Sequence, residues 1–222
     1  MERMTQSPIG SGWLLTVLLM CGVTAAVLYM AADIFAAATY PGYSYVDQQQ
    51  SELSAIGAPT RPFWIGMASV YTVLMIAFGL GVWHTAGARR SLRAAGALLA
   101  AFGIIGYLWV LFAPMNPVGQ ARTATDTLHL VFLVVQILVM VLFISFGAAA
   151  LGRGFRGFSI LVVVGMLAAG GVVGAHAEAI AAGQSPPWLG LVERISIYAP
   201  MIWIIAFAVT ILRAIQPVLR SQ

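Results

Sequence analysis

Lysine is absent from this chain. All eleven basic residues are arginine, scattered along the sequence rather than gathered in a run. Without a basic patch there is nothing to track a nucleic-acid backbone, so nucleic-acid partners are set aside. Charge of either sign is scarce: 8% of the 222 residues are charged, against roughly 25% in soluble domains. The single cysteine, Cys21, lies inside the first apolar segment. That excludes an internal disulfide and a cysteine-built metal motif. No P-loop, dinucleotide fingerprint or nucleophile elbow occurs, which removes the common nucleotide-binding and α/β-hydrolase readings. Nor is there an internal repeat or a mid-depth ladder of charges of the kind that marks inverted-repeat transporters.

What the chain does contain is apolar sequence. Hydrophobic residues make up 61% of it and its mean hydropathy is +0.94. A bilayer core of about 30 Å is crossed by roughly 20 apolar residues in a helix. Such runs lie near 13–34, 63–85, 94–114, 127–150, 157–177 and 195–213. The fold expected is an all-α integral membrane protein, a six-helix bundle forming one transmembrane domain over residues 1–222, with no room for a soluble domain. Ala36, Ala37 and Ala38 offer small residues after the first run, but its apolar core is too long for a cleaved signal peptide. It reads as a retained span.

Orientation follows from the arginines. Arg3, Arg89, Arg90, Arg93, Arg153, Arg156, Arg213 and Arg220 fall on one set of alternate connectors, and only Arg61, Arg122 and Arg194 on the other. The richer side is cytoplasmic by the positive-inside rule, so both termini are expected in the cytoplasm of a multi-pass plasma-membrane protein. Six of the seven acids (Asp33, Asp47, Glu52, Asp126, Glu178 and Glu193) then fall near the outer face, with Glu2 alone inside.

The longest polar interruption is residues 40–62, on that outer face. It holds three tyrosines and is punctuated by Pro41, Gly42, Gly57, Pro59 and Pro62. Asp47 with Gln50 reads as a capping box that starts a short helix, Gly57 ends it, and Leu53 and Ile56 share its apolar face. The expectation is a short helix lying on the mouth of the bundle.

Several outer residues are candidates for chemistry. Asp126 and His129, three apart, share a helix face, where a carboxylate orients an imidazole or shares a metal with it. His176 ends the fifth span and stands to join His129 in an acid–base or metal pair. Glu52 and Asp126 would be the orienting carboxylates, although the spacing matches no zinc signature. Glu193, Arg194, Ser196 and Tyr198 open the last span, and a glutamate there is favoured by the helix dipole. Arg61, Arg122 and Arg194 run against the positive-inside trend, so each needs one of Asp47, Glu52, Asp126, Glu178 and Glu193, or an anionic ligand such as a lipid phosphate. Asp33, near the outer end of the first span, is a partner for Arg61 or Arg122, or a general acid. Ser51 is an outer hydroxyl beside them. His84, at the opposite end, is a lone interfacial histidine. Gly170 and Gly174 form a small-xxx-small pair that predicts close helix packing, at the centre of the bundle or across a homodimer. Trp64, Trp83, Trp109, Trp188 and Trp203 read as interfacial anchors.

The run Ser51-Glu52-Leu53-Ser54-Ala55-Ile56-Gly57-Ala58-Pro59 after the first span, with Glu193-Arg194 and Tyr198 in the last, resembles the bacterial membrane-protein family catalogued as domain of unknown function 998. Six spans with a conspicuous first loop are also faintly similar to the Frag/DRAM/Sfk membrane proteins. The resemblance implies fold and topology, since the first family carries no assigned activity. The residues themselves point to an outer pocket that binds a membrane lipid or other amphiphile with an anionic head, without a cofactor. The alternative is a lipid-directed hydrolase using the Asp126, His129, His176 and Glu52 cluster, with a metal possible at His129 and His176. Topology reporters fused after Gly57 and Gly183 are expected to give the extracytoplasmic signal, and those after Gly87 and Gly152 the cytoplasmic one. Opposite signals at Gly57 and Gly183 would dissolve the common outer mouth.

Overall fold

The computed structural model describes residues 12–220. Arg3 and Glu2, both used in the orientation argument, lie outside that range. Seven α-helices follow in order: α1 (Gly12–Thr39), α2 (Arg61–Thr85), α3 (Arg90–Phe112), α4 (Ala124–Ala150), α5 (Arg153–Ala175), the short α6 (Ala177–Ala181) and α7 (Leu189–Arg220). A five-residue 3-10 helix, Gln50–Ser54, lies between α1 and α2. All but α6 are long and apolar enough to cross a bilayer, six candidate spans in all. The helices run as a closed ring in which α1 packs on α2, α2 on α3, α3 on α4, and α7 on both α5 and α1. Contact between α4 and α5 is thinner.

Lipid tails give apolar helices no reason to associate, so packing depends on close backbone approach. Glycine supplies it between α2 and α3. A Cβ placed on Gly79 would stand 2.5 Å from Gly96 O, and one on Gly96 2.6 Å from Gly79 O. Thr72 Oγ1 donates to Gly103 O at 2.9 Å on the same seam. The small-residue pair singled out in the sequence behaves differently. Gly170 and Gly174 meet nothing within 4 Å. The buried residues of α5 are Ser159, Val162, Met166 and Ala169, while Gly171 and Gly174 are exposed. The α5 helix is therefore peripheral rather than central, and its glycine face is open.

The half of the bundle nearer the chain termini is filled by aromatic rings. Trp203 is fully buried, stacks on Phe207 at 4.5 Å between ring centroids, and packs on Phe143 and Phe155. Its Nε1 donates to Ser159 Oγ at 2.8 Å, which gives the indole the polar partner a buried tryptophan needs. The interfacial reading of Trp203 is corrected accordingly, and so is that of Trp64, which is buried among Tyr29 and Phe63. Trp83 and Trp188 are exposed.

The α2–α3 seam makes a direct test. Gly79→Leu sets a side chain against backbone that cannot move aside, so a loss of about 3 kcal/mol is expected, the upper end for overpacking. Gly171→Leu, pointing into open space, is expected to change stability by less than about 0.5 kcal/mol. Thermal melting in detergent distinguishes the two, and equal effects would remove the argument for a glycine-dependent seam.

Candidate functional site

Three connectors meet at the end of the bundle away from the termini. Ile56 N donates to Met115 O at 2.9 Å, tying the α1–α2 connector to the α3–α4 connector. Leu191 N donates to Val46 O at 3.0 Å, tying it to the start of α7. Gly119 and Gly183 approach so closely that a Cβ on either would lie 3.2 Å from the other's Cα. The α1–α2 connector is thus a cap knitted into the other two.

At its base is an ion pair buried in the helices. Asp33 lies under two turns from the end of α1 and Arg194 about a turn and a half into α7, and they are fully and 98% buried respectively. Arg194 Nε donates to Asp33 Oδ2 at 2.8 Å and Nη2 to Oδ1 at 3.0 Å, a bidentate fork. The remaining donors reach the cap and α7 itself: Nη2 to Tyr43 Oη at 2.9 Å, and Nη1 to Tyr45 O at 2.8 Å, Gln48 O at 3.3 Å and, within α7, Gly190 O at 3.2 Å. The guanidinium carbon sits 3.7 Å from the Tyr45 ring centroid, in cation–π range. Tyr198 donates to Asp33 Oδ2 at 2.5 Å, and the Tyr45 hydroxyl lies 2.9 Å from that of Tyr198. Every N–H direction of Arg194 therefore ends on a protein acceptor.

The chain reaches this arrangement because Gly190 has no side chain. A Cβ there would stand 2.4 Å from Gln48 O and 2.8 Å from Tyr45 O. Those carbonyls turn toward Arg194 over bare α7 backbone. Tyr43 Oη donates to Gln49 O at 2.8 Å, with Gln48 O at 3.1 Å. Burial pushes the Tyr43 hydroxyl above its ordinary pKa, despite the guanidinium beside it. Glu193 Oε2 accepts from Gln50 N at 2.5 Å. Helix α7 begins at Leu189, so Glu193 lies past the first turn and anchors the cap rather than the helix dipole. The 3-10 helix starts on a capping box of Gln49 and Glu52, two residues later than the sequence predicts. Asp47 instead holds Ser44 and accepts from Trp188 N at 3.0 Å. That N–H, then the Ser44 hydroxyl, keep the Asp47 carboxyl below its usual range. The bond is therefore present at neutral pH and weakens only as the pH falls through that lowered value. It secures Trp188, which is held at φ 66°, a left-handed conformation unfavourable for a bulky residue. Leu53 is buried under the cap, while Ile56 lies beyond the short helix and is exposed.

The other expected site residues lie apart. Asp126 closes the start of α4: it accepts from Asn116 N and Nδ2 at 2.8 and 2.7 Å and from Thr123 N at 2.8 Å. His129 turns instead to α3, its Nδ1 3.0 Å from Trp109 Nε1 and 2.8 Å from Ala113 O. His176 is exposed, its Nδ1 2.9 Å from Val172 O of its own helix. Among the described residues no histidine meets a carboxylate, and no three His, Cys, Asp or Glu side chains gather as metal ligands. Arg61 donates to Ser54 O at 2.6 Å and Val110 O at 3.2 Å. Arg122 is exposed. Ser51 offers its carbonyl to the Ser54 hydroxyl at 3.2 Å.

Between the connectors lies a cleft of about 360 Å³, walled by Tyr40, Gln48, Glu52, Ile56, Val118 and Ser185 with small residues between them. Gln48 stands four residues before Glu52, on the polar side of the expected short helix, whereas Tyr40 and Val118 carried no signal in sequence that set them beside Glu52.

Asp33→Asn or Arg194→Met alone is expected to cost about 3–5 kcal/mol, since each strands a buried partner. The double variant Asp33→Leu/Arg194→Met should recover only part of that, because the Tyr45, Gln48 and Gly190 carbonyls still lack their donor. Denaturation in detergent with limited proteolysis of residues 40–60 measures both; full recovery would show that Arg194 does not organise the cap.

A family model described as protein of unknown function (DUF998) matches residues 23–210. The chain belongs to that family. No curated protein and no solved structure matches it.

Proposed function

We propose that this six-span member of the family is an amphiphile-binding membrane protein, and that its ligand's polar end sits in the cleft between the three connectors. The observation that carries the reading is the cleft itself. It opens at the end of the helices, where the head of a membrane-borne molecule lies level with protein, and its walls are held by main-chain bonds between connectors rather than by loose side chains. Its volume of about 360 Å³ is at the small end of the roughly 300–1,000 Å³ usual for small-molecule sites. A head group fits, with the alkyl chain left alongside the helices.

The excess of arginine at the other end supports an extracytoplasmic position for this cleft and cytoplasmic termini in a plasma membrane. Buried Arg194 and carbonyl-bound Arg61 do not support the anionic head group that their number in the sequence predicts. The hydrolytic alternative has less behind it, because Asp126, His129, His176 and Glu52 occupy separate hydrogen-bonded settings.

Native mass spectrometry tests the reading. Protein extracted in mild detergent is expected to carry a bound amphiphile that Val118→Trp or Ser185→Trp, each filling the cleft from its rim, reduces at least about tenfold at unchanged melting temperature, the loss of roughly 1.4 kcal/mol of binding. Undiminished occupancy in both variants would count against the cleft.

A further inference from the structure

We infer that the cleft takes a positively charged head, an alkylammonium or quaternary ammonium group; this rests on the reading of the cleft as an amphiphile site. Among the lining residues Glu52 carries the one formal charge, and neither arginine nor histidine contributes to the wall. Glu52 also has no counter-ion within the described residues, where Arg194 with Asp33 is the sole ion pair. The nearest basic residue along this connector, Arg61, faces the Ser54 and Val110 carbonyls.

The carboxylate is held in place by neutral donors. Gln49 N reaches its Oε1 at 3.0 Å and Gln48 Nε2 its Oε2 at 2.9 Å. Each carboxylate oxygen has two acceptor positions, so both retain capacity after those bonds. The group is positioned by the protein while its charge remains uncompensated. A phosphate or sulfate entering the same space meets repulsion, whereas a cation gains a charge-assisted contact.

The rest of the wall suits an ammonium carrying carbon. Tyr40 lines the cleft and is itself fixed by stacking on Tyr43, their ring centroids 5.7 Å apart. Aromatic faces are the usual partners of quaternary ammonium ions. Ala55, Ile56, Ala58, Pro117 and Val118 add apolar surface for N-methyl groups or the first methylenes of a chain.

The test uses the full chain in maltoside detergent with three probes below their micellar concentrations: octyltrimethylammonium, octyl sulfate, and tetramethylammonium at matched ionic strength. Octyltrimethylammonium is expected to bind saturably, octyl sulfate to bind at least about tenfold more weakly, and Glu52→Gln to weaken octyltrimethylammonium by about tenfold, the worth of one partly screened contact between opposite charges. Glutamine keeps an acceptor for Gln49 N, and the melting temperature checks that the cap remains. If Glu52→Gln does not fold, the preference of the unaltered chain for the cation over the sulfate decides the matter. Equal or tighter binding of octyl sulfate overturns the inference, as does an unchanged affinity in folded Glu52→Gln. Tetramethylammonium competing as well as its octyl relative assigns the site to a small free cation; competition only by the alkylated probe assigns it to an amphiphile head. If an anionic or neutral amphiphile binds and Ser185→Trp removes it, the cleft stands and only the charge assignment falls. Binding of no probe, with Ser185→Trp without effect, removes the cleft reading with it.

Discussion

A guanidinium buried among membrane-crossing helices is the constraint from which the capped end of this protein follows. Arg194 is almost wholly inaccessible, and an unpaired charge at such a position would be costly enough to undo the helix packing around it. Asp33 supplies the counter-charge but leaves donors over. Those donors are met by the α1–α2 connector, whose carbonyls fold back over Gly190. An otherwise irregular polar segment is thereby converted into a rigid cap, and the rigid cap gives the cleft its walls. Residues remote from any ligand thus set the shape that a ligand would meet.

The six spans were legible because hydropathy over twenty residues is a strong signal, and the bilayer permits little besides a helix. Helix ends drifted more. Leu189 opens α7 a turn or so before the apolar run at 195, so Glu193 and Arg194 moved from the helix mouth to its interior. That shift turned a dipole-capping glutamate into an anchor for Gln50. Asp33 and Arg194 stood out in advance as costly charged groups near apolar sequence. Their pairing did not, since Asp33 and Arg194 are 161 residues apart.

Glycine spacing misled where chemistry did not. Gly170 and Gly174 fit a packing motif by spacing, yet stand in open space, while Gly79 and Gly96, which bear no such spacing to each other, bring α2 and α3 into backbone contact. Spacing reports which residues share a face, but not which face turns inward. Likewise His129 and Asp126 share a side of α4 and still diverge, because Asn116 and Thr123 offer the carboxylate main-chain and side-chain donors that an imidazole cannot match.

The separation of Asp33 from Arg194 along the chain bears on how the molecule is made. Asp33 emerges from the ribosome in the first helix, and its countercharge arrives only with the last one, 161 residues later. Through most of synthesis, α1 therefore carries a carboxyl without its mate, and the connector behind it lacks the donor that organises it. The cap can therefore close in this form only once α7 has been made and has joined α1, so its completion is among the last events of the chain's assembly.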